Sequence, residues 1–135
     1  MRAFIVELQN QPGSLATMCE ALGERGINIS GVAGMTWDGN GAVGMITNDD
    51  SGTRTVLDAR SEKYREVDLV VAGLTDRPGS LGEAARRLAD GGVNIEAVMP
   101  TSMQGNRVTL AFAVTDAAKA REALGDLIAA GSTAI

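Results

Sequence analysis

The sequence predicts an α+β chain made of two tandem copies of one small unit, each ordered strand, helix, strand, strand, helix, strand. Three observations predict it. An internal repeat recurs at fixed spacing, short apolar runs rich in β-formers sit between turn residues, and helix-period apolar stripes open on Pro-Gly-Ser. A length of 135 residues suits one ordinary domain or two very small ones, so the repeat decides.

The repeat is explicit. Gln11-Pro12-Gly13-Ser14-Leu15 matches Arg77-Pro78-Gly79-Ser80-Leu81, and 78 − 12 = 66. The same shift lays Leu8 on Leu74, Leu22 on Leu88, Gly26 on Gly92, Asn28 on Asn94, Ile29 on Ile95 and Val32 on Val98. It also lays Gly39-Asn40 on Gly105-Asn106 and Asp50 on Asp116, with no gap. The expected units are residues 1–66 and 67–135.

Each element follows from local chemistry. Ala3 to Leu8 and Val67 to Leu74 are apolar runs that read as buried strands. Pro12-Gly13-Ser14 and Pro78-Gly79-Ser80 then mark a turn into a helix: proline cannot donate to a ladder, glycine permits unusual φ, and serine is a good N-cap. The helices should bury Leu15, Met18, Cys19 and Leu22, and Leu81, Ala84, Ala85 and Leu88, at i, i+3, i+4, i+7 spacing. Gly26 and Gly92 suit left-handed caps that end them. Strands follow from Asn28 to Trp37 and Asn94 to Met103, then Asp38-Gly39-Asn40-Gly41 and Gln104-Gly105-Asn106 as hairpin turns. The partner strands are Ala42 to Thr47 and Val108 to Val114. Second helices are expected from about Gly52 to Arg60 and from about Ala117 to Ala130, the latter turning Ala120, Leu124, Leu127 and Ile128 inward.

Lys63 to Leu74 reads as one long strand that ends the first sheet and opens the second. The second unit has only Ser132 to Ile135 left for a closing strand, which should be short or absent. Two right-handed split βαβ crossovers generate a four-stranded antiparallel sheet with both helices on one face, which is the ferredoxin-like fold.

Composition narrows the function. Hydrophobic residues at 44% and charged residues at 21% give a globular balance. Aromatics at 3% leave the core to aliphatic, alanine and methionine side chains. A formal charge of −5, with no basic stripe or aromatic-basic platform, argues against direct nucleic-acid binding and against an anionic membrane. No apolar run approaches the roughly 20 residues a span needs, and Met1 to Leu8 shows no signal-peptide pattern, so the chain reads as cytoplasmic. There is no histidine and one cysteine, Cys19, on a predicted buried helix face. Acid–base and triad constellations therefore lack their materials, and the chain reads as a non-enzyme without cofactor or metal.

Two motifs have bland readings that prevail. Gly39-x-Gly41-x-x-Gly44 fits the dinucleotide pattern but lies between two strands, where no helix N-terminus receives a pyrophosphate. Asp49-Asp50 reads as a helix cap rather than a metal pair.

The Asn10 to Leu15 and Asp76 to Leu81 stretches, with the helix-ending Gly-Ile-Asn-Ile and Gly-Val-Asn-Ile, resemble the ACT domain family of small regulatory modules. The resemblance covers nearly the whole chain, twice, in the manner of a stand-alone tandem ACT protein. It implies an amino-acid ligand held at the interface between two ACT units, by the loop after the first strand and the asparagine that opens the second. Carried over, it implicates Asn10, Gln11, Pro12, Gly13, Ser14, Leu15, Asn28 and Ile29. In the second unit it implicates Asp76, Arg77, Pro78, Gly79, Ser80, Leu81, Asn94 and Ile95. Asp76 departs from Asn10, so the two loops need not be equivalent.

The chemistry fits a zwitterion. Helix-start N–H groups donate to a carboxylate with help from the helix dipole, and a carboxamide serves either end. Binding between about millimolar and micromolar is expected. For either loop alone, ordinary turn and cap chemistry is the stronger account of Pro-Gly-Ser, and Asn28 can satisfy its own backbone. The rival function is an interaction or oligomerisation module, acting without ligand on a metabolic enzyme or regulator. In either case open sheet edges favour a homodimer.

Overall fold

The computed structural model describes residues 1–129. The chain divides into two compact units, one of residues 2–66 and the other from Val67 onward, counted with Met1. The first contains β1 (Arg2–Gln9), α1 (Ser14–Glu24), β2 (Ile29–Trp37), β3 (Asn40–Thr47) and α2 (Asp50–Ala59). Then β4 (Tyr64–Thr75) runs without a break across the division. The second continues with α3 (Ser80–Asp90), β5 (Ile95–Gln104), β6 (Arg107–Val114), α4 (Ala117–Leu124) and a 3-10 turn, Gly125–Leu127.

Strand order in the first unit is β2-β3-β1, with the start of β4 beside β1, where Glu7 N–H donates to the Lys63 carbonyl at 2.9 Å. In the second it is β5-β6-β4, and Ile128 makes an antiparallel bridge to Ala72 of β4. That bridge is where a closing strand would begin; the expected segment Ser132 to Ile135 lies outside the described residues. This is the ferredoxin-like order, strand, helix, strand, strand, helix, strand, given twice.

Both helices of each unit cover one sheet face. Alternate residues Phe4 and Val6 of β1 and Val43 and Met45 of β3 meet Met18 and Leu22 of α1 and Val56 and Leu57 of α2. The second cluster repeats the scheme with Val70, Ala72, Phe112, Ala84, Leu88 and Leu124. The chain has two phenylalanines, one per unit, both fully buried. They occupy opposite members of the same cross-strand pair: Phe4 faces Met45, while Val70 faces Phe112. Between the two copies the ring changes strand.

The repeat is not gapless in space. The caps of the second helices are Asp49, accepting from Gly52 N–H, and Asp116, accepting from Lys119 N–H. Since 116 − 49 = 67, Asp116 matches Asp49 and not Asp50. The extra residue is Thr101, skipped in the β5–β6 register between Pro100 and Ser102 as a bulge. The hairpin turns shift with it. Trp37 pairs Asn40 across Asp38-Gly39, both with positive φ as a type I′ turn needs, whereas Gln104 pairs Arg107 across Gly105-Asn106.

Three further expectations are corrected. The helix caps before Ser14 and Ser80 are Gly13 and Gly79, at φ 91° in both, and neither serine makes a side-chain cap. Leu15 and Leu81, expected in the buried stripe, are 48% and 50% exposed, the apolar part of the buried stripe beginning one turn later at Met18 and Ala84; Cys19 and Ala85 are only half-buried. And α4 stops at Leu124, where Gly125 takes φ 53° and breaks the ladder, so Leu127 and Ile128 are also half-buried.

One ion pair closes the first unit. Arg54 of α2 binds Glu66 of β4 through Nε at 2.8 Å and an Nη at 2.7 Å. The Arg54 hydrogen bond holds the Glu66 carboxyl below the usual glutamate range. A depressed carboxylate stabilises above its unfolded pKa and loses that contribution as pH falls through its folded value. The first unit should therefore weaken on acidification below about pH 4. Glu66→Gln should remove part of that slope in a urea-melt series.

Candidate functional site

The β1–α1 loop of the first unit is the centre of the candidate site. Backbone hydrogen bonds bend it: Gln11 N–H donates to the Gln9 carbonyl at 2.9 Å, and Ser14 N–H to the Gln11 carbonyl at 3.4 Å. Gly13 then supplies the left-handed turn that opens α1, a conformation L side chains rarely adopt. No side chain caps α1 and no acidic residue lies in its first turn, so its dipole faces the loop uncompensated.

Cavities flank this loop. One of 440 Å³ lies between the loop and β2, walled by Leu8, Leu15, Val32, Met35 and Val43, with Asn10, Gln11 and Ser14 at its rim. None of its lining residues is charged. A second of 440 Å³ lies against Pro12 and Gly13 of the same loop and Thr17 of α1, and meets the Arg60–Glu62 ion pair, 3.3 Å long. A third, of 820 Å³, extends along the hairpin to Trp37 and Lys63. Met35 is 76% exposed and Trp37 82% exposed on β2, an uncharged strand. Both are large apolar side chains left in water beside a polar loop.

The expected residues divide into those the fold brings together and those it separates. Asn10, Gln11, Pro12, Gly13, Ser14 and Leu15 all line these cavities. Asn28 and Ile29 do not. They stand at the opening of β2, a nine-residue strand whose rise of about 3.3 Å per residue sets them roughly 25 Å from its loop end. Asn28 donates its backbone N–H to the Asn48 side chain at 3.0 Å and accepts the Asn48 N–H at 3.1 Å, while Ile29 packs against the first core. Sequence reasoning missed Val32, Met35 and Val43 as cavity walls and Thr17 beside the loop. The signal was present in β2, where apolar residues persist although alternation with polar ones would be expected of an exposed edge.

The second loop has the same backbone but different surroundings. Gly79 repeats Gly13 to within a degree, with φ 91° and ψ −14° against φ 91° and ψ −15°. Arg77, however, donates to the Pro78 carbonyl at 3.3 Å and to Glu83 at 3.2 Å, across the loop. Asp76, exposed, donates its backbone N–H to the Asn106 carbonyl. Ser80 is buried, its hydroxyl without a partner among the described residues, and Leu81 is exposed. Asn94 turns its carboxamide to Glu96 at 3.5 Å, and Ile95 packs on the second core.

The remaining candidates behave simply. Gly39, Gly41 and Gly44 lie in and after the β2–β3 hairpin, Asp49 caps α2, and Cys19 stands on α1. Among the described residues no group of three or more His, Cys, Asp or Glu is placed to hold a metal ion, and no helix is long and apolar enough to cross a membrane.

Fold and loop geometry together define a tandem ACT-fold chain. Solved structures share that fold. A protein from Bacteroides thetaiotaomicron is 22% identical with a TM-score of 0.76, over 93% of this chain and 86% of its own. The regulatory subunit of aspartate kinase from Thermus thermophilus, in a ligand-free form, is 16% identical with a TM-score of 0.66, over 93% of this chain and 90% of its own. The regulatory subunit of aspartate kinase from Thermus flavus is 18% identical with a TM-score of 0.61, over 93% and 92%. No family model and no curated protein matches the sequence. At these identities the likeness is one of fold.

Proposed function

We propose that the chain is a cytoplasmic amino-acid-binding regulator, not an enzyme, that works as a homodimer on a metabolic enzyme. The observation that carries this reading is the cavity between the β1–α1 loop and β2, with an uncapped helix start at one end and exposed Leu15 and Met35 along its side. Helix-start N–H groups suit the ligand carboxylate, and the Asn10 and Gln11 carboxamides suit its ammonium. The aspartate kinase regulatory subunits, which share the fold, support a regulatory role.

The length of β2 also bears on the second half of the expected site. If the uncharged β2 edges of two copies pair antiparallel, the strand start of one lies against the strand end of the other. Asn28 of the second copy then comes to the loop of the first, so loop and asparagine meet between ACT units of two chains. An interaction module without ligand would use the same apolar edge, and only ligand response separates the two readings.

A ligand that prefers the folded dimer raises its melting temperature. At least one of the twenty amino acids should do so at millimolar concentration. Asn28→Ala should keep the fold but lose about 1.5–3 kcal/mol of binding, the worth of a hydrogen bond to a charged group. Normal binding by that variant, or monomer alone in sedimentation with and without ligand, would contradict the arrangement.

A further inference from the structure

We infer that the two units have diverged in function: the first loop's cleft takes an amino acid with an uncharged, apolar side chain, and the second loop takes none. The inference rests on the binding reading above and adds ligand class and stoichiometry to it. The cleft beside β2 is walled by Leu8, Leu15, Val32, Met35 and Val43 without any charged lining residue. A charged ligand side chain placed there loses water and gains no partner. Charged groups exist nearby, Arg60 and Glu62, but they line the neighbouring cavity at Pro12 and Thr17.

The second loop carries charged groups of its own, paired with one another on the surface. Glu83 stands in the first turn of α3, where the first unit has Thr17, whose hydroxyl turns back to the Gly13 carbonyl at 2.8 Å. A carboxylate therefore stands in the first turn of α3 and offsets the dipole that a ligand carboxylate would use. Arg77 and Arg87 pair with Glu83 at 3.2 and 3.4 Å. Asp76 adds a second negative charge where the first unit has Asn10. The Ser80 hydroxyl has no partner among the described residues and almost no accessible surface, so it is closed to a ligand. The Asn94 carboxamide faces Glu96. Both outer strands are irregular near their starts, at Ser30 and Glu96, but β5 is interrupted again by Pro100 and the Thr101 bulge, where β2 keeps its register.

The test is calorimetric titration of the full chain with L-leucine, L-isoleucine, L-valine and L-methionine, and separately with L-lysine, L-arginine, L-aspartate and L-glutamate. The expected result is binding within the apolar set at one ligand per chain. Thr17→Glu, which gives α1 the second loop's carboxylate on an exposed position, should weaken it by about ten- to a hundredfold. Met35→Glu, on the exposed strand, should weaken it independently through the cleft wall. Preference for a charged amino acid, two ligands per chain, or unchanged binding in both variants overturns the inference while leaving amino-acid binding intact. No binding by any amino acid removes the underlying reading instead.

Discussion

Replacing Phe112 by alanine should lower the stability of the second unit by about 3–5 kcal/mol, and Phe4→Ala should do the same to the first. Both rings are fully buried, each is its unit's only phenylalanine, and each faces a smaller partner, Val70 or Met45, across the sheet. With aromatics this scarce, no free ring can swing in to fill the void, so lost transfer energy and cavity cost add. Tyr64, whose ring centroid lies 6.0 Å from Phe4, is anchored by its hydroxyl to Asp58 at 2.6 Å. The measurement is guanidinium unfolding with amide exchange resolved by unit. Loss confined to the mutated unit is expected; a cost below about 1 kcal/mol would contradict the packing described.

Gly13→Val should be the most damaging change at the loop. Nothing lies within 4 Å of where its Cβ would stand, so the cost is not steric contact but backbone conformation. At φ 91° a β-branched residue is strained by about 1–3 kcal/mol, and the loop relaxes away from the helix start. Gly79→Val, at the same φ, should cost similar stability. Binding separates the two: the first variant should lose the ligand response and the second should keep it. Equal binding losses would contradict the assignment of the site to the first loop.

Much of the fold was legible because its signals are local. Strand runs, the Gly26 and Gly92 helix ends and the Asp-Gly hairpin each depend on a few neighbouring residues, and both glycines take the expected positive φ, 72° and 73°. What escaped depends on partners far away in sequence. The Thr101 bulge is invisible until β6 pairs with β5, and without it Asp116 aligns to the wrong aspartate. The early end of α4 follows from Gly125, which a helical periodicity over alanines does not reveal.

The site divides the same way. The bend from Asn10 to Leu15 was legible because it rests on local turn chemistry. The distance of Asn28 from the loop was not legible, since the length of β2 sets it apart from the loop of its own unit. Leu15 was expected inside and stands half in water.

Trp37 gives the most direct measurement. It is the sole tryptophan, 82% exposed at the loop end of β2. Titrating the protein with each of the twenty amino acids while recording its emission should give a saturable blue shift for at least one apolar member, as the indole leaves water. Emission that stays unchanged across the whole set would contradict the sensing account.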